Sequence, residues 1–273
     1  MRTLLLLLLL LLAGSAAAQV GISPAYYDLS QEDAGKTQTF RIFNYTTEPK
    51  KVRVSLVPWK ADGNNQPQLL EPGPTTLDQW VVVNPVEFEV KAKSSQAVRF
   101  SVRPATPMST GEHRVMFIFD EIVTAEENAN MRARFQFRSA LYVQVGEATR
   151  RGEIVSVDAD ANGVRLKVKN VGSANVRFDG QVSIWEAARF PGVAKTELVP
   201  GLASMKTPPL APGELHLDTI PASPILPGDT HVIQAGFGAL KLKPGRYVAD
   251  LNGKLGESPL DRSVEFVVTE TPK

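Results

Sequence analysis

Met131 to Val145 reads MRARFQFRSALYVQV, and its polarity alternates residue by residue. The odd positions carry Met131, Ala133, Phe135, Phe137, Ser139, Leu141, Val143 and Val145; the even positions carry Arg132, Arg134, Gln136, Arg138, Ala140, Tyr142 and Gln144. Side chains on a strand point alternately to its two faces, so the pattern predicts one strand with an apolar and a mostly polar face. It exceeds the usual strand length of about 3–10 residues. A strand this long and this apolar is either shared deeply between sheets or offered to a partner.

Shorter alternating runs fill the chain before it: 39–43, 51–57, 80–83, 86–90, 97–102 and 115–119. Asp62-Gly63-Asn64-Asn65 and Glu71-Pro72-Gly73-Pro74 read as turns between them. A polar, glycine-flanked stretch follows Val145, and a second series begins at Gly152. The Asn162-Gly163 pair predicts a hairpin there. Eight prolines between Pro191 and Pro227 favour edges and loops over a central strand. No long segment holds a helical period. Closely spaced strands without helices predict an all-β fold, and each half reads as a sandwich of about seven strands.

Composition adds an address. Arg2, an unbroken leucine run from Leu4 to Leu12 and an Ala16-Ala17-Ala18 end predict a secretory signal peptide over 1–18, cut after Ala18. The apolar run is too short for a spanning helix, so no stable membrane insertion is expected after cleavage. With Arg2 removed, the 30 Lys and Arg fall to 29, equal to the 29 Asp and Glu. That balance gives no basic surface for a nucleic-acid partner. The chain has no Cys, hence no disulfides, and is long enough to bury a core without them.

Candidate chemistry is sparse. Asp158, Asp160, Asn162 and Gly163 match the start of a calcium loop, but its twelfth position is Lys169 where a Glu is required. The hairpin turn is the better reading. His113, His216 and His231 lack metal-ligand spacing, and no cofactor motif appears. No nucleophile elbow or Cys nucleophile points to an enzyme. Asn44-Tyr45-Thr46 is a glycosylation sequon by pattern and a turn by context. Trp59 reads as a core residue near a strand end.

Several stretches from Val20 to Val145, taken in order, resemble the N-terminal domain of PapD-like periplasmic pilus chaperones. They are Gly21-Ile22-Ser23-Pro24, Phe40-Arg41-Ile42-Phe43-Asn44, Val54 through Trp59 with the Asp62-Gly63 turn, Val82 through Phe88, Gln96-Ala97-Val98-Arg99-Phe100, Gly111 through Phe117, and Asp120-Glu121-Ile122. The second half, with Asn170-Val171-Gly172 and Pro244 through Val248, looks like a generic bacterial immunoglobulin-like domain. The resemblance implies a PapD-like immunoglobulin-fold domain over 19–146 and a second immunoglobulin-like sandwich over 147–273. It implies a periplasmic chaperone that lends its last first-domain strand to a pilin-like or surface-protein subunit, with an outer-membrane usher as a candidate second partner. Met131, Ala133, Phe135 and Phe137 would be the donor residues, while Ser139 to Val145 would be ordinary core. No ATP or metal is implied. The family holds the pilin's terminal carboxylate with a first-strand Arg and a last-strand Lys. Here the first-strand region has Tyr26 and Tyr27 instead, the Lys position falls near Ala140, and Arg138 is the candidate anchor. The competing reading is a secreted accessory β-sandwich protein that uses the module for docking without a pilin client.

Overall fold

The computed structural model describes residues 20–123 and 134–270. The expected signal peptide, Met131 and Ala133 lie outside the described residues. Contacts divide the chain into two compact units. The first takes in the chain up to Trp59, Leu69–Met108 and His113–Val143; the second takes in Lys60–Gln68, Ser109–Glu112 and everything from Gln144.

The chain is all-β, as expected. Its first part runs β1 (Val20–Ser23), β2 (Tyr27–Ser30), a short helix α1 (Gln31–Gly35), β3 (Gln38–Asn44), β4 (Lys50–Val57), β5 (Trp59–Ala61), β6 (Pro67–Leu69), β7 (Val81–Asn84), β8 (Glu87–Val90), β9 (Ser94–Val102), β10 (Gly111–Glu121) and β11 (Gln136–Val145). One sheet has the order β1-β3-β9-β7 and the other β2-β11-β10-β4-β8, while β5 and β6 pair as a separate hairpin. The first extended segment therefore changes sheets, pairing through β1 with β3 and through β2 with β11. The strand β2 escaped the sequence reading because Tyr27-Asp28-Leu29-Ser30 is too short to show a period.

Phe40 and Ile42 alternate with exposed Arg41, which turns the apolar parity of β3 inward. Phe40 and Phe100 from one sheet meet Phe117 from the other at ring distances of 5.0 and 4.9 Å. Tyr27 adds its ring 4.9 Å from Phe40. Aromatic rings at such separations contribute beyond the area they bury, so this cluster ties the two sheets together. Trp59 is buried and meets Tyr142 edge-on, in keeping with its expected place in the core.

The second unit contains β12 (Gly152–Asp160), β13 (Gly163–Asn170), β14 (Phe178–Glu186), β15 (Glu214–Thr219), β16 (Thr230–Gly236), β17 (Gly245–Leu255) and β18 (Ser258–Val268). Their sheets have the orders β12-β13-β16 and β15-β14-β17-β18. Leu166, Val168 and Ile233 of one sheet pack with Ile184, Ala249 and Leu251 of the other. The proline-rich stretch supplies the edge strand β15 and short 3-10 turns, which need few ladder donors.

The hairpin between β12 and β13 falls one residue earlier than its sequence signal. Asp160 pairs with Gly163, so the two turn residues are Ala161 and Asn162. Gly163 is the first residue of β13, and a Cβ there would stand 2.5 Å from the carbonyl oxygen of Ala235. Its glycine is required by the neighbouring strand's backbone rather than by the turn.

Candidate functional site

The strand β11 divides by burial. Leu141, Val143 and Val145 are buried, as expected of the C-terminal half, and Ser139 is buried with its hydroxyl donating to the carbonyl of Ala25 at 2.8 Å. Before Ser139 the pattern opens. Gln136 and Arg138 are exposed, and Phe137 is half-buried. Phe135, just ahead of the strand, is half-buried on the same parity, with its ring 5.3 Å from that of Phe137. Of the four candidate donor residues, these two are described and stand side by side; Met131 and Ala133 are the two outside the described residues.

The polar parity carries a short chain of side chains. Gln136 Nε2 donates to Asp120 Oδ1 at 2.6 Å, and Arg138 Nε donates to Gln136 Oε1 at 2.9 Å. Gln136 thus steadies Arg138 through one nitrogen and leaves the rest of the guanidinium fork available. Such a fork suits a carboxylate, which it can grip with two parallel bonds. Arg138 forms no ion pair with another described residue. Tyr27 does not offer the corresponding first-strand anchor. Its hydroxyl donates to Thr39 O at 2.7 Å and accepts from Thr39 N at 3.2 Å, and its ring lies in the aromatic core.

The start of the strand is held by residues the sequence reading did not pair. Glu121 N donates to Phe135 O at 3.2 Å, and Phe135 N donates to Glu121 Oε2 at 3.2 Å. The same carboxylate takes Lys50 Nζ at 2.7 Å on Oε1, and both side chains are about as buried as the apolar core. A signal was present: Lys50 shares the parity of Val52 and Val54, and Glu121 that of Phe117 and Phe119. Opposite charges on the apolar parities of two strands can sit inside a sandwich only if they meet.

Other expected chemistry resolves into structure. Asp160 binds Arg165 at 2.8 Å and accepts Asn162 N at 2.7 Å, contacts that hold its carboxyl below the usual range. Among the described residues no three His, Cys, Asp or Glu come together in a way that could hold a metal ion. Asn44 is buried at the end of β3, its amide donating to the Glu48 carbonyl at 2.7 Å, so the sequon triplet is a turn bracket. Burial holds His216 and His231 below the ordinary imidazole value. Asp250 in β17 is wholly buried, and burial pushes its pKa up to about 6. Among the described residues no helix is long and apolar enough to cross a membrane.

No protein-family model matches the chain, and no curated protein matches its sequence. Solved structures of fimbrial chaperones do match, all at low identity. The YadV chaperone is 13% identical with a TM-score of 0.47, over 91% of this chain and 100% of that one. A chain of the SafA pilin–SafB chaperone complex of Salmonella enterica is 13% identical with a TM-score of 0.43, over 93% of this chain and 99% of that one. A chain of the CsuC–CsuE chaperone–tip adhesion subunit complex of Acinetobacter baumannii is 11% identical with a TM-score of 0.44, over 91% of this chain and 98% of that one.

Proposed function

We propose that this chain is a periplasmic, non-enzymatic chaperone-like protein that binds a pilus or surface-protein subunit by strand addition at the N-terminal half of β11 and the residues just before it. One observation carries the reading: Phe135 and Phe137 stand together on one face of a strand and are only half-buried where Leu141, Val143 and Val145 on the same parity are buried. β11 lies between β2 and β10 in its sheet, but half-buried rings set side by side are apolar surface that natural proteins normally cover, so their retention favours use. An added strand would gain main-chain hydrogen bonds, and pockets in the subunit would take the aromatic rings. Met131 and Ala133 continue the same alternation in the proposed donor segment. Arg138 is the proposed grip on the subunit's terminal carboxylate. Strand exchange supplies the free energy, so neither ATP nor metal takes part, and an outer-membrane usher is the proposed receiver of the loaded complex.

The test is capture of a pilin-like subunit in a periplasmic pull-down by the full chain. Phe135→Asp with Phe137→Asp should abolish capture while circular dichroism keeps the β-rich signature. Phe135→Ser alone is the milder companion and should weaken capture without touching the strand proper. Undiminished capture by both variants overturns the reading.

A second reading has one observation in its favour. Tyr26 and Tyr27 stand near the place of the family's first-strand Arg, neither is basic, and Tyr27 is spent on the core. A secreted accessory protein that docks a folded partner needs no such anchor. The pull-down separates the two, because an accessory protein would capture a complete, folded partner rather than a subunit lacking its final strand.

A further inference from the structure

The chain entering β11 meets the end of β10 at Glu121. In a regular antiparallel ladder, the two residues of a hydrogen-bonded pair exchange both backbone N–H···O bonds. Glu121 and Phe135 make only one of them: Glu121 N donates to Phe135 O at 3.2 Å. The return bond goes to the side chain instead, with Phe135 N donating to Glu121 Oε2 at 3.2 Å. The carboxylate has replaced the carbonyl, and the ladder ends on it. The next residue stays with the other neighbour, since Ile122 N donates to Lys51 O at 2.9 Å. Glu121 is therefore the fork between β4, which the chain still follows, and the segment that enters β11.

Lys50 makes this fork rigid. Its ammonium lies 2.7 Å from Glu121 Oε1, and each of the two side chains is 6% exposed. With one oxygen committed to Lys50, the other is aimed at the Phe135 amide. A buried carboxylate without its cation would carry a large desolvation cost, so the two residues act as a unit.

The geometry points to Glu121, oriented by Lys50, as the positioning residue that keeps the entry of the client-binding strand, Phe135 to Arg138, in register with its buried half. The inference rests on the strand-addition reading and extends it to which side chains a client meets. Strand side chains alternate, so a slip of one residue puts every one of them on the other face. In the observed register Phe135 and Phe137 share the apolar parity, and Gln136 and Arg138 face solvent. One step of slip ahead of Ser139 would turn Gln136 and Arg138 toward the apolar parity and both rings toward solvent.

Cysteine labelling reads the register directly, because the chain has no Cys of its own. Gln136→Cys, Phe137→Cys and Arg138→Cys are made singly, with and without Glu121→Ala. With Glu121 in place, positions 136 and 138 should react with a maleimide faster than 137. With Glu121→Ala that contrast should shrink by about tenfold, and exchange of the Phe135 amide should accelerate by about tenfold or more, the loss of a charge-assisted hydrogen bond. The paired replacement Lys50→Met with Glu121→Leu removes the buried charges together and keeps the fold testable if Glu121→Ala does not fold. It should lose the labelling contrast as well. An unchanged labelling contrast and unchanged Phe135 exchange in either folded variant overturn the inference. The labelling needs no client, so a failure of the unmutated protein to capture a subunit would count against strand addition alone.

Discussion

Asn44 and Asn170 hold the same place in two separate sandwiches. Asn44 ends β3, and Asn170 ends β13; both are buried. Each side-chain oxygen accepts the N–H two residues on, from Thr46 at 3.0 Å and from Gly172 at 2.8 Å. Each amide nitrogen donates to the carbonyl four residues on, Glu48 at 2.7 Å and Ala174 at 2.9 Å. Each also crosses to a distant carbonyl, Val90 at 3.0 Å and Ile225 at 2.7 Å. The bracket ties the end of a strand to a segment far along the chain.

Removing either side chain breaks at least three hydrogen bonds, each worth about 0.5–1.5 kcal/mol net. Asn44→Ala and Asn170→Ala should therefore each destabilise the protein by about 3 kcal/mol, the first acting on the first unit and the second on the second. Urea unfolding followed by hydrogen exchange in the two units measures both effects. A loss below 1 kcal/mol in both would show that water takes over the carbonyls.

Asp250 gives the fold a pH dependence. Burial raises its carboxyl most, the nearby Asp261 and Glu214 charges raise it further, and the Thr196 hydroxyl lowers it without bringing it back to the ordinary value. Neither carboxylate oxygen has a hydrogen-bond partner among the described residues, which leaves burial as the dominant influence. The folded-state value of about 6 lies above that of the unfolded chain. The folded state thus takes up a proton as pH falls through about 6, while the unfolded chain holds back until about 4. Stability from this group is lowest above that range and grows on acidification, by about 2–3 kcal/mol in all. Asp250→Asn should be the more stable protein at pH 7.5 and should lose its advantage by pH 4.5. Denaturant unfolding of both proteins at the two pH values checks the sign; the same difference at both would place the titration elsewhere.

Arg138 should separate binding from stability. It is exposed and its one side-chain partner is Gln136, so Arg138→Ala should change stability by less than about 0.5 kcal/mol. Client affinity should fall about tenfold, the order of one charge-assisted contact to a terminal carboxylate. Titration calorimetry with a subunit carrying a free or an amidated C-terminus tests this. Equal affinities for the two termini would remove Arg138 from the carboxylate site.

Much of the architecture was legible because a period of two is a local property. Phe40 and Ile42 against Arg41, or Leu166 and Val168 against Lys167, announce a strand and its inward face without knowledge of any neighbour. Short pieces such as β2 and β6 were not legible, since three or four residues cannot display a period. Asn162-Gly163 matches hairpin chemistry, yet the need for Gly163 arises from Ala235, a residue on another strand. At the site, the alternation of Phe135 and Phe137 was visible in order of residues, while the clamp on Phe135 was not.

The sequence by itself determined that this is a cysteine-free, all-β chain with one long alternating run near its middle. Those features depend on neighbouring residues, whose side chains must alternate whatever the rest of the chain does. Only the tertiary structure decided that Lys50 and Glu121 meet, that Phe135 hangs its amide on that carboxylate, and that Tyr27 is committed to the core. These relations join residues far apart along the chain. They depend on strand order and register, which a periodic pattern leaves open and which the packing of two sheets resolves.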